Sequence, residues 1–114
     1  MLTLDALKAF GANTDEGMNR CFNNEAFYLK LVGMGLADEN FDRLSRALEA
    51  GNAAEAFEAA HALKGSIGNL ALTPLFRPIS EITEKLRGKT EMVDVGDLYG
   101  QVMDALNAAR KLAE

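Results

Sequence analysis

The sequence predicts an all-α fold: an up-and-down antiparallel four-helix bundle with short extra N-terminal helices. Three observations predict it. Apolar residues recur at spacings of three and four through most of the 114 residues, the period of helices that each bury one face. No β-branched run alternates with period two, and the chain has only two prolines, so strands leave no signal. Gly, Asn and Thr punctuate the periodic stretches at short intervals, as helix caps do. A hydrophobic content of 48% with 25% charged residues suits one core. Residues 1–114 therefore read as a single domain, with the bundle over about 24–112 and residues 1–22 as a helical lid on one end.

Thr3 caps a first helix whose apolar positions are Leu4, Leu7 and Phe10, stopped at Gly11. A second turn or two follows Thr14 and ends near Phe22. Asn23 or Asn24 starts a long segment in which Phe27, Leu31, Met34, Ala37, Phe41, Leu44 and Leu48 keep helical spacing. Gly33 and Gly35 each cost about 1 kcal/mol relative to alanine. They leave two readings: one helix that bends, or a break at Asp38, which would cap a second piece. One long helix is preferred, because the stripe does not change phase. Gly51 and Asn52 end it and cap its successor.

From Asn52 the next helix places Ala56, Ala60, Leu63, Ile67 and Leu70 inward and carries Phe57, His61, Lys64 and Gly68 one position round. Ile67 and Leu70 continue its phase beyond Gly65; the alternative is a C-cap at Gly65. Thr73-Pro74 reads as a cap followed by a first-turn proline. Leu75, Phe76, Ile79, Ile82 and Leu86 then form a stripe that Gly88 stops. Pro78 lacks a backbone donor, which predicts irregular geometry or a delayed start near Arg77. After a polar connection, a last helix from about Val95 to Leu112 turns Leu98, Val102, Leu106 and Ala109 inward. Arg110 and Lys111 stand near its negative end.

Composition excludes several functions. A net charge of -5 argues against nucleic acid and anionic membrane surfaces, both of which require a basic patch. One cysteine, Cys21, and one histidine, His61, supply neither an internal disulfide nor a zinc cluster, so no metal site is expected. No stretch approaches the ~20 apolar residues of a membrane span, and the first residues lack the pattern of an export signal. A cytoplasmic monomer is the expectation.

The chemistry concentrates around His61. Lys64, Gly65 and Gly68 follow it by three, four and seven residues, all on one helical face. Two interior glycines cost about 2 kcal/mol relative to alanine, against a domain stability of roughly 5–15 kcal/mol. A cost of that size suggests a face kept uncrowded. Free imidazole titrates near about 6.5, so at neutral pH most such rings hold a nucleophilic lone pair. A lysine one turn on offers an ammonium to anionic oxygens. Nucleophile, cation and cleared surface together fit phosphoryl transfer onto histidine. Phe57, one turn before His61, reads equally as a docking aromatic or as packing. Asn69, Ser66 and Thr73 read as local backbone partners, Cys21 as a small buried residue, and Glu58 as solvated. No glycine-rich nucleotide loop is present.

The run His61-Ala62-Leu63-Lys64-Gly65, with Gly68-Asn69 and a small residue at Ala71, resembles the signature of histidine-containing phosphotransfer (HPt) domains of multistep two-component phosphorelays. Helix order and lengths extend the resemblance to about residues 24–112. It implies a phosphocarrier rather than an enzyme: His61 accepts a phosphoryl group from a receiver-domain aspartate and passes it to another receiver. Lys64 steadies the phosphate, while Gly65 and Gly68 make room for the partner. The chain itself needs no cofactor, since Mg²⁺ belongs to the receiver. Response-regulator receivers are the implied partners, with a hybrid histidine kinase as another. The alternative is a docking or inhibitory module that binds a receiver or kinase without phosphate on His61. Two positions depart from the family pattern: Ala71, where glycine is also common, and Pro78.

Overall fold

The computed structural model describes residues 1–114, which fold into seven helices and no strand: α1 (Leu4–Phe10), α2 (Thr14–Arg20), α3 (Glu25–Leu36), α4 (Asn40–Ala50), α5 (Ala53–Asn69), α6 (Thr73–Leu86) and α7 (Gly96–Leu112). Side chains set most boundaries. Thr3, Asn13, Asn24 and Asn52 each accept a hydrogen bond from the backbone N–H three residues on, using donors the helix leaves unpaired. At the other ends, Gly11 and Gly51 take left-handed φ values of 109° and 68°, which glycine adopts without a Cβ penalty.

In the bundle, α5 packs between α4 and α6, and α7 packs on α6. The Ser45 hydroxyl of α4 is hydrogen-bonded to the Tyr99 hydroxyl of α7, which closes the ring. The short connections make sequential neighbours antiparallel. One hydrophobic core extends from Leu7 in α1 to Ala109 in α7. The inward face of α5 is mostly alanine: Ala53, Ala56, Ala59 and Ala60 are buried with Leu63 and Ile67. Small side chains there let α4 and α6 approach closely. No helix is long and apolar enough to cross a membrane.

The single helix expected from Asn24 to Leu48 is two. Before the break, Tyr28, Val32 and Leu36 are buried; after it, Phe41, Leu44 and Ala47 are. Leu36 to Phe41 is a step of five, so the phase does reset. The apparent stripe joined the outer side of α3 to the inner side of α4, and Phe27 and Met34 are exposed at 41% and 60%. The break has physical causes. Asp38 accepts from the Asn40 backbone N–H at 2.8 Å, a local bond that competes with helix. The Leu36 carbonyl accepts two bonds from the Arg110 guanidinium, at 3.0 and 2.9 Å. Gly35 serves close packing: a Cβ there would lie 2.6 Å from Leu70 Cδ1.

Two expectations for α6 also change. Leu72, not Thr73, is the N-cap, and it makes no side-chain cap bond. The helix starts at Thr73 without delay and is continuous past Pro78, which is buried. At this depth in the helix the proline removes one hydrogen bond, and the continuous buried stripe Leu75, Ile79, Ile82 and Leu86 holds the element together.

The N-terminal helices meet the α5–α6 turn. The Asn13 N–H donates to the Ala71 carbonyl at 2.9 Å, and the Tyr28 hydroxyl donates to the Leu70 carbonyl at 2.9 Å. Burial, with Cys21 nearby, raises the pKa of that hydroxyl above its usual value. Ala71 itself sits at φ 59°, a left-handed conformation that costs a non-glycine residue about 1–2 kcal/mol.

Candidate functional site

His61 lies midway along α5 with its side chain exposed, and the helix continues unbroken through Gly65 to Asn69. The C-cap alternative at Gly65 therefore falls, and His61, Lys64, Gly65 and Gly68 share one face. They line an open depression of about 510 Å³, whose wall is completed by Asn69, by Arg20 of α2 and by Phe76 of α6.

The two glycines prove different. A Cβ at Gly65 would meet nothing within 4 Å, whereas at Gly68 it would lie 2.8 Å from the Phe76 ring. Gly68 is thus required by packing within the chain. Nothing inside the molecule explains Gly65, whose missing side chain leaves the surface one turn beyond His61 open.

Phe57 is half-buried and stacks on the His61 ring, with centroids 5.3 Å apart and planes inclined by 21°. Over the same ring lies Arg87, whose guanidinium carbon is 5.2 Å from the Phe57 centroid, a cation–π arrangement. Lys64 is paired across to α6. Its Nζ is 3.3 Å from Oε2 of Glu84 on α6. Hydrogen bonds from Arg87 first, then from Lys64, hold the Glu84 carboxyl down to about 2.

Arg20 reaches the same depression from the N-terminal helices. Its Nη1 donates to the Gly68 carbonyl at 2.7 Å, and Nη2 pairs with Glu16. Of the remaining residues singled out in the sequence, Asn69 lines the wall as the last residue of α5. Ser66 bonds to Asp38 and to the Leu63 carbonyl. Glu58 is exposed, and Cys21 is buried with a free thiol.

Sequence reasoning missed Arg20, Phe76, Glu84 and Arg87. Glu84 and Arg87 were visible as an i,i+3 pair, but their approach to Lys64 depends on how α6 crosses α5, which no local spacing encodes. Arg20 lay in a short helix whose packing the pattern did not reveal.

Chemically, the face offers an exposed imidazole, two cations at the rim of a depression, and open space over Gly65. The sequence matches the family model of the Hpt domain over residues 35–111. No curated protein and no solved structure matches the chain.

Proposed function

The chain belongs to the Hpt domain family, whose members carry phosphoryl groups on histidine within phosphorelays, and we propose that it is a phosphorelay intermediate with His61 as its acceptor. The observation that carries this reading is the pairing of the only histidine, exposed, with an unexplained glycine gap at Gly65 beside it. A receiver domain docks over that gap and presents its phosphorylated aspartate, bringing Mg²⁺ with it. The Nε2 lone pair of His61 attacks phosphorus as the bond to the aspartate oxygen breaks. The carboxylate leaves with the bonding electrons, and the ring, still holding its Nδ1 proton, carries the balancing positive charge. Lys64 and Arg20 supply positive potential where the phosphate oxygens arrive. A second receiver aspartate reverses the step.

Hpt domains are phosphocarriers rather than enzymes, and positioning with electrostatics is all the chemistry this chain need supply. His61→Gln separates the relay from a docking module that never carries phosphate. With a phosphorylated receiver as donor, the native chain acquires an acid-labile, base-stable label and the variant acquires none, while both melt at the same temperature. Undiminished labelling of the variant sinks the assignment.

A further inference from the structure

The proposed reaction needs Lys64 at the phosphate, yet Lys64 is already paired with a carboxylate. Its partner Glu84 stands 20 residues on, in α6, and takes three hydrogen bonds on two oxygens. Arg87 donates from Nε to Oε1 at 3.1 Å and from Nη2 to Oε2 at 2.9 Å, while Lys64 donates to that same Oε2 at 3.3 Å. The guanidinium makes a two-pronged fork, the arrangement that suits a carboxylate best. The lysine makes the third and longest bond, on an oxygen already served. Arg87 is itself steadied over Phe57, which stacks on His61. The contacts therefore form a loop that leaves α5 at Lys64, passes through Glu84 and Arg87, and returns to α5 at Phe57 and His61.

This arrangement is asymmetric. When Lys64 departs, Glu84 keeps its whole fork with Arg87 and is not left unpaired. A doubly charged phosphoryl group on His61 thus has a lysine within one helical turn that can be released. We infer that Glu84 is a positioning residue that holds Lys64 aside while His61 is bare and competes for it once His61 is phosphorylated. The inference rests on His61 being the acceptor. Its consequence is directional: competition from Glu84 makes the phosphohistidine less stable than Lys64 alone would allow, which favours onward transfer over storage.

The test reads that stability without a protein partner. N-phosphoimidazole is equilibrated with the full chain: the P–N bond of the small donor breaks, its electron pair stays on free imidazole, and His61 Nε2 forms the new P–N bond. Phosphorus NMR gives the exchange constant. Glu84→Gln removes the charge and keeps the shape, and it shifts exchange toward His61 about two- to five-fold, the scale of one exposed ion pair. In a Lys64→Ala background the same substitution shifts nothing, because the effect runs through the lysine. An exchange constant that is unmoved or falls in Glu84→Gln overturns the inference. So does an equal shift in the Lys64→Ala background, which would mean direct repulsion between carboxylate and phosphate. A native chain that takes no phosphoryl group on His61 overturns the functional reading and this inference together. A labelled chain whose exchange ignores Glu84 overturns the inference alone.

Discussion

The inward face of α5 is packed throughout, and its outward face is only partly covered. Inward, four alanines, Leu63 and Ile67 are buried, so each side chain there is fixed by the neighbour it must fit. Outward, His61 and Gly65 are exposed; the Phe57 ring stacks on His61, but no neighbour dictates the glycine. The difference teaches where to look for function on one helix: a residue choice that internal packing explains is spent on the fold, and one it leaves unexplained points to a partner. Gly68 sits on the boundary. It lines the depression with His61, yet the Phe76 ring accounts for it.

The largest effect on stability belongs to the inward face. Leu63→Ala removes a fully buried side chain from the core and costs about 2–5 kcal/mol, by analogy with other buried leucines. Urea denaturation measures it. A loss well under 1 kcal/mol would mean that the inward face is looser than its burial indicates, and the contrast between the faces would weaken.

The inward face was also the more legible from sequence. Ala56, Ala60, Leu63, Ile67 and Leu70 were readable as one stripe because helical periodicity is local and uninterrupted there. The same method failed in α3, where Phe27 and Met34 matched the spacing but are exposed. Their register was decided by Asp38 and by Arg110, which comes from the far end of the chain. At the site, His61, Lys64 and Gly65 were legible because one helix carries them all. Arg20, Phe76, Glu84 and Arg87 come from α2 and α6, so their arrival at the depression is a product of tertiary packing. The role of Gly68 was half visible: its cost could be read, but not the ring that requires it.

Gly68→Ala addresses that boundary and has a smaller expected effect. The new methyl group would press on the Phe76 ring from 2.8 Å, and overpacking of this kind costs about 1–3 kcal/mol. Alanine returns about 1 kcal/mol of helix propensity, which leaves a net loss of about 1 kcal/mol in denaturant titrations. A net gain would show that Phe76 swings aside freely. Gly68 would then join Gly65 as a residue the fold does not require.

Gly65→Ala has the smallest effect on stability, with the opposite sign. Its Cβ meets nothing within 4 Å, and an alanine in a helix interior is favoured over glycine by about 0.5–1 kcal/mol. The variant should therefore unfold at slightly higher denaturant concentration than the native chain. The same methyl group stands one turn from His61 on the face where a receiver would close, so it obstructs a large partner more than a small one. Phosphoryl transfer from a receiver should fall by a larger factor than transfer from N-phosphoimidazole, whose reach to the imidazole requires far less surface. Equal factors for the two donors would mean that Gly65 shapes the ring's own surroundings rather than a docking surface. A loss of stability would mean that an internal neighbour had been overlooked. Higher stability combined with a selective loss toward the receiver is the outcome that only a partner-facing glycine produces.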